Sequence, residues 1–252
     1  MPVARIQSIT EQWVQIIRLE ISLPAAGASL SAADSSLSAA GALEAAAGAF
    51  DFAAGQYLEI QHPSGARIPL SIASAPHQLP QLELHYRSTP GDALAPLLDD
   101  LLKARGELDL RGPFGDVSVT AYAGPLLLVA GGTGISQALS ILEHLEHLGR
   151  PTAQAHPYAV TLLWCADTVD AFYARERLAE LPWLDANCIA DARKTQDNDG
   201  LQWLGEHLTA NAYNRVLLCG GPPFVYAVVD HLKAQQLDVA VESDVFGYSP
   251  RG

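Results

Sequence analysis

Cysteine, positive charge and long apolar runs are all scarce in this sequence, and each shortage excludes a class of protein. The 252 residues hold three cysteines, Cys165, Cys188 and Cys219, without a CxxC pair. A disulfide framework, a zinc ribbon and a cysteine-held iron–sulfur cluster are therefore not expected. Any redox chemistry must come from an organic cofactor. Fifteen Lys and Arg stand against 28 Asp and Glu, a formal net charge of −13. Such a field repels phosphate backbones and anionic membrane surfaces, so nucleic acid is not an expected partner. No apolar stretch is long enough to span a bilayer, and the opening MPVARIQSITEQW lacks the continuous apolar segment of a secretory signal. A cytoplasmic location is expected.

What is present is 49% apolar residues and only 17% charged, the composition of a globular chain. Its two halves differ in pattern. In QLELHYR, Leu82, Leu84 and Tyr86 share one face, with Glu83, His85 and Arg87 on the other. RLEISL, QYLEIQ and ELDLR alternate likewise, which predicts antiparallel strands with one solvated face, and GPFGD reads as a turn. From about residue 117 the strands become continuous apolar runs, LLLVA, VTLLWC and RVLLC. Runs of this kind suit a parallel sheet buried on both faces. SQALSILEHLEHLG, AFYARERLAEL and PPFVYAVVDHLKAQQ have the length and spacing of crossover helices. The expected architecture is an antiparallel β-barrel over residues 1 to 116 followed by an α/β domain over 117 to 252. Residues 25 to 49, with 12 Ala, 5 Ser and 3 Gly, carry too little bulky surface to order themselves and are expected to be an insertion in the first half.

Three segments carry chemistry. LLLVA runs into Gly131, Gly132, Thr133, Gly134, Ile135 and Ser136 and then an amphipathic helix. Glycines at a strand-to-helix turn let backbone N–H groups approach a pyrophosphate. RVLLC ends at Cys219, and Gly220, Gly221, Pro222 and Pro223 lead into the next helix, so two such loops would form one crevice. In the first half, Arg67, Ile68, Pro69, Leu70, Ser71, Ile72, Ala73 and Ser74 join a cation to two hydroxyls along a strand.

In this order the segments resemble the ferredoxin-NADP reductase superfamily, and most closely its bacterial NAD(P)H:flavin oxidoreductases. The resemblance implies a flavin-binding Greek-key barrel followed by a Rossmann-like nicotinamide-binding domain. The family's flavin motif Arg-x-Tyr/Phe-Ser falls on Ile68, Pro69, Leu70 and Ser71; its Gly-Gly-Thr-Gly loop falls on Gly131, Gly132, Thr133 and Gly134; its Cys-Gly-Pro loop begins at Cys219. The closing SDVFGYSPR resembles the tail of some such reductases. The motif's Arg is here Ile68, with Arg67 one residue early, and its ring-stacking aromatic is Leu70. Those departures point to flavin (FAD, FMN or riboflavin) handled as a dissociable substrate.

The resemblance further implies that hydride passes from nicotinamide C4 to flavin N5. Ser71 would hydrogen-bond near N5 and Cys219 would pack beside the nicotinamide. Arg67, Leu70, Ile72, Ala73 and Ser74 would contact the flavin. Gly131, Gly132, Thr133, Gly134, Ser136, Gly220, Gly221 and Pro222 would hold the dinucleotide, and Phe246 or Tyr248 would shield the flavin face. Asp167, just past VTLLWC, would favour NADH over NADPH by repelling a 2′-phosphate, although with Asp170 it also suits a helix cap, and Arg175 and Arg177 could instead turn toward a phosphate. A second reading keeps FAD bound and passes electrons to a protein partner, an oxygenase or ferredoxin; a third is a nucleotide-binding module with a defective flavin site. Two other constellations are weighed. Gly134, Ser136 and Ala138 approximate a nucleophile elbow, with Asp191 and His207 or His231 in hydrolase order. His144 and His147 sit three apart on a helix, without HExxH or HxxEH, and a solvated helix face with no metal is expected.

Overall fold

A computed structural model describes residues 3 to 12, 16 to 23, 50 to 88, 91 to 149, 160 to 190, 199 to 208 and 212 to 251. The Ala-rich segment 25 to 49 and Asp191 lie outside them. Six strands come first: β1 (Val3–Gln12), β2 (Ile16–Ser22), β3 (Tyr57–Gln61), β4 (Arg67–Ser71), β5 (Gln81–Arg87) and β6 (Glu107–Phe114). They pair antiparallel in the order β4-β3-β6-β1-β2-β5. Ile72, just past β4, bridges Leu84 of β5, and the Ala73 N–H donates to the Glu83 carbonyl at 2.7 Å. The two ends of the sheet thereby meet, and it closes into a barrel filled by Leu58, Ile60, Ile68, Leu84, Leu108 and Leu110. Helix α1 (Ala95–Ala104) adds Leu98 and Leu102 to that core.

Two expectations need correcting here. Glu83 and His85 of β5 are buried although alternation puts them opposite the barrel core. The sequence identifies the second face correctly, but the α/β layer covers it instead of water. GPFGD is not simply a turn, because β6 continues through Phe114.

The second sheet holds β7 (Leu126–Gly131), β8 (Val160–Ala166), β9 (Leu184–Ala190) and β10 (Arg215–Cys219), all parallel, in the order β10-β7-β8-β9. It is flanked by α2 (Ile135–Leu148), α3 (Arg175–Ala179), α4 (Asp199–His207) and α5 (Pro222–Ala234), with a short α6 (Val245–Tyr248) in the tail. Strand β7 explains its own apolar run: Leu126, Leu128 and Ala130 pack in one cluster with α2, while Leu127 and Val129 pack in another with α4 and α5. Each such side chain, fully buried, contributes about 1.5–3 kcal/mol. The helix expected over AFYARERLAEL is instead a 3-10 turn, Val169–Ala171, and the five-residue α3. Phe172 and Tyr173 both lie edge-on to the Trp164 ring, at 5.0 and 5.5 Å, which holds the chain between turn and helix out of helical geometry. Among the described residues no helix is long and apolar enough to cross a membrane.

Candidate functional site

The strand order reverses between β7 and β10, and in open parallel sheets the crevice beyond the strand ends at such a point is where ligands bind. A cleft of about 200 Å³ opens there, between the parallel sheet and barrel strand β4. Ser71 lines it from the barrel; Thr133, Gly134 and Ser136 line it from the first glycine loop, and Gly220 and Gly221 from the second. The loops meet backbone to backbone. A Cβ on Gly134 would lie 2.1 Å from the Cys219 carbonyl oxygen, and one on Gly131 would lie 2.5 Å from the Phe224 ring. The N-termini of α2 and α5 both start at these loops, so unpaired N–H groups and partial positive charge gather at one spot.

Strand register explains Ser71. Ile68 and Leu70 point into the barrel, so the alternate residues face outward and Ser71 reaches the cleft half-exposed. Ser136 is 1% exposed, and the Tyr173 phenol beside it is the one polar group of the described residues set against its hydroxyl, without a well-formed hydrogen bond. A buried, unsatisfied hydroxyl on a cleft wall is costly unless a ligand completes it.

Several expected contacts take other positions. Arg67 is exposed, 3.8 Å from Glu59, and does not line the cleft. Leu70 offers only its backbone side, because its side chain belongs to the barrel core. The N–H groups of Ile72 and Ala73 are committed to the carbonyls of Gln56 and Glu83. Ser74 accepts from the Glu83 N–H through its hydroxyl and from Ser140 through its carbonyl, so it joins barrel to α2. Cys219 is fully buried, and burial pushes its thiol above the usual range; it lies behind the cleft wall. Gly131, Gly132 and Pro222 shape the loops without lining the cleft. Asp167 pairs with Arg87 of the barrel at 3.1 Å. Of the two tail aromatics, Tyr248 lines the cleft and Phe246 packs toward Tyr226.

The sequence did not reveal Tyr57, His85, Gln137 or Asp244 as site residues. Tyr57 and Tyr248 form an edge contact at 6.2 Å, and burial pushes the Tyr248 phenol up to about 12. Asp244 accepts the N–H groups of Asp116 and Val117 and the Gln137 amide; Gln137 also donates to the Gly55 carbonyl at 2.7 Å. One carboxylate therefore ties tail, barrel exit and α2 together beside the cleft. Behind it, Glu83 meets Arg18 at 2.8 Å, Arg177 at 2.7 Å and the His85 Nε2 at 2.5 Å. Burial pushes the Glu83 carboxyl up, but the His85 hydrogen bond and the two guanidinium groups outweigh it and hold it at about 2.

The competing constellations do not assemble. Neither His207, bonded to the Trp203 carbonyl, nor His231 lines the cleft with Ser136. His144 faces the Thr120 carbonyl and His147 stacks on His77, and no metal-holding group occurs among the described residues.

The residues that line the cleft fit a flat heteroaromatic ring beside a dinucleotide: tyrosine walls, an unsatisfied hydroxyl and two close-packed glycine turns at a switch point. Among the described residues, neither Lys nor Arg lines it. No family model matches the chain. Curated relatives do. It is 30% identical over 205 residues to the reductase component DmpP of phenol 2-monooxygenase from Pseudomonas sp. (strain CF600), covering 76% of this chain and 55% of that protein. It is 36% identical over 133 residues to the NAD(P)H-flavin reductase of Vibrio harveyi, covering 50% and 53%. The chain thus spans about half the length of these relatives. In structure it is similar to the ferredoxin-NADP+ reductase of Plasmodium falciparum, with a TM-score of 0.68 at 17% identity, covering 96% of this chain and 95% or more of that one. A closed antiparallel barrel facing a parallel sheet across a switch-point cleft is thus the fold that this chain shares with that ferredoxin-NADP+ reductase, and its sequence is similar to reductases over about half of their length.

Proposed function

We propose that the chain is an NAD(P)H:flavin oxidoreductase that reduces a dissociable flavin. Reduced nicotinamide supplies the hydride and the flavin ring accepts it at N5, so the protein has only to orient, space and shelter the two. The observation that carries this reading is the opening of Ser71 and both glycine loops onto one cleft lacking Lys and Arg. The loops and helix N-termini receive the pyrophosphate; Thr133 and Ser136 orient the nicotinamide end. Tyr57 and Tyr248 exclude water from the ring face, and the Ser71 hydroxyl donates at the hydride-accepting edge. With Arg67 turned outward to Glu59, no cation among the described residues lines the cleft to anchor a flavin phosphate, which favours release of the product. Steady-state NAD(P)H oxidation with riboflavin, FMN and FAD, read with the absorption spectrum of the purified protein, tests it. Turnover by initially colourless protein is expected; no oxidation with any flavin would refute it. The relative named as an oxygenase reductase component favours a second reading, bound FAD passing electrons to a protein partner, and yellow protein surviving gel filtration would select it.

Ser71→Ala is expected to slow hydride transfer in single turnovers by about tenfold, roughly 1.4 kcal/mol in the barrier, while flavin affinity changes less. An unchanged rate would remove Ser71 from the site. NADH is the preferred donor in this reading, because Asp167 holds Arg87 away from a 2′-phosphate. Asp167→Ser frees that guanidinium, and the NADPH-to-NADH efficiency ratio should rise about tenfold, roughly 1.4 kcal/mol. Lower stability with an unchanged ratio would make the pair a seam contact alone.

A further inference from the structure

A chain of directional contacts runs from the barrel to the first glycine loop through residues that the reaction itself does not use. Glu83 is held as a carboxylate by Arg18 and Arg177, so it can only accept. The His85 Nε2, 2.5 Å away, must therefore carry its proton toward Glu83. In the neutral ring that leaves Nδ1 as an acceptor, and the Tyr173 hydroxyl lies 2.9 Å from it. Burial pushes the Tyr173 phenol far above its usual range, so it stays protonated and donates. Tyr173 lies edge-on to Trp164 at 5.5 Å, and the Trp164 indole N–H donates to the Gly132 carbonyl at 2.9 Å. Glu83 and His85 belong to the barrel, and Tyr173, Trp164 and Gly132 to the parallel-sheet unit. His85 itself lines the cleft.

We propose that Tyr173 is a positioning residue: its hydroxyl on His85 and its ring on Trp164 form a strut that fixes the distance between the barrel wall and the Gly132–Gly134 turn. This rests on the hydride-transfer reading above, for which that distance matters most. Reacting atoms need a separation of about 3–3.5 Å, and a misplacement of about 1 Å can cost roughly a hundredfold in rate. A single hydroxyl at the seam can thus govern rate without touching either ligand.

Tyr173→Phe keeps the ring on Trp164 and removes the hydroxyl's bond to His85 together with its contact to Ser136. In ligand-free protein, amide hydrogen exchange at Gly132, Thr133 and Gly134 is expected to rise at least fivefold, with β1 and β2 unchanged. In stopped flow, the hydride-transfer rate at saturating NADH and FMN is expected to fall at least tenfold, with the Kd of each ligand within twofold of wild type. Exchange and rate both within twofold of wild type would overturn the strut. Parallel losses in rate, both affinities and Tm would overturn it as well, since they would mark a general stabiliser. Wild-type protein inert toward every flavin, combined with faster loop exchange in Tyr173→Phe, would refute the hydride-transfer reading and leave the strut supported.

Discussion

Gly134→Ala is expected to lower nicotinamide-dependent turnover at least a hundredfold while flavin affinity stays within about threefold, since two tenfold factors amount to roughly 2.7 kcal/mol. The added carbon would sit 2.1 Å from the Cys219 oxygen, 2.5 Å from its carbonyl carbon and 2.7 Å from the Gly220 Cα. All three neighbours are backbone, so no side chain can swing aside and the loops must part by more than an ångström. Overpacking of this kind costs about 1–3 kcal/mol in stability, or several degrees of Tm for a chain of this size. Ser71, where the proposed flavin would sit, lies on the barrel and should not feel it. Gly132→Ala is the control: nothing lies within 4 Å of its Cβ, and only the left-handed backbone, φ +54°, opposes it. Turnover by Gly134→Ala equal to that of Gly132→Ala would show that the close approach of the loops is dispensable.

The second large effect belongs to Glu83. Glu83→Gln would leave Arg18 only Glu20, Arg177 only Glu143 and the His85 N–H only an amide oxygen, and losing the charge of this buried carboxylate costs about 3 kcal/mol. A fall in Tm of about 10 °C is expected. The pH dependence gives an independent check. A carboxyl at about 2 in the folded chain, against 4.5 unperturbed, contributes stability that is present above 4.5 and disappears as the pH falls toward 2. Its share is about 3 kcal/mol. In Glu83→Gln the acid slope of unfolding free energy should lose about one proton over that interval. An unchanged slope would mean that another carboxylate carries the acid sensitivity.

The sequence disclosed the fold more fully than the site because apolar period reports burial directly. The runs in β7, β8 and β10 and the alternation in β2, β3, β5 and β6 appear as strands where expected. Periodicity did not reveal what covers a face. Glu83 and His85 look solvent-directed in QLELHYR, and their burial depends on Tyr173 and Arg177, about 90 residues later. Ser71, Thr133, Gly134, Ser136, Gly220 and Gly221, singled out in sequence, line one cleft because glycine turns and strand register are local properties of the chain. Cys219 and Arg67 stand away from the cleft because a motif gives order along the chain and not the side of a strand; Cys219, the last residue of β10, is fully buried and Arg67 faces Glu59. Tyr57, Gln137 and Asp244 left no local signal, since their roles exist only where tail, α2 and barrel meet.

The strand order has a consequence for how the protein is made. Strand β1 lies between β2, its neighbour in sequence, and β6, whose Asp109 pairs with Val3. On the ribosome the opening hairpin must therefore wait, one edge unpaired, until residue 109 and its neighbours emerge. Strand β10 and the Glu242 segment alongside it come later still, so the parallel sheet is completed only once residue 242 has emerged. Pairings this far apart in the chain are slow to form. Until residue 109 emerges, polar side chains on that hairpin, Arg5, Gln7, Ser8 and Glu20, disfavour its pairing with another chain like itself.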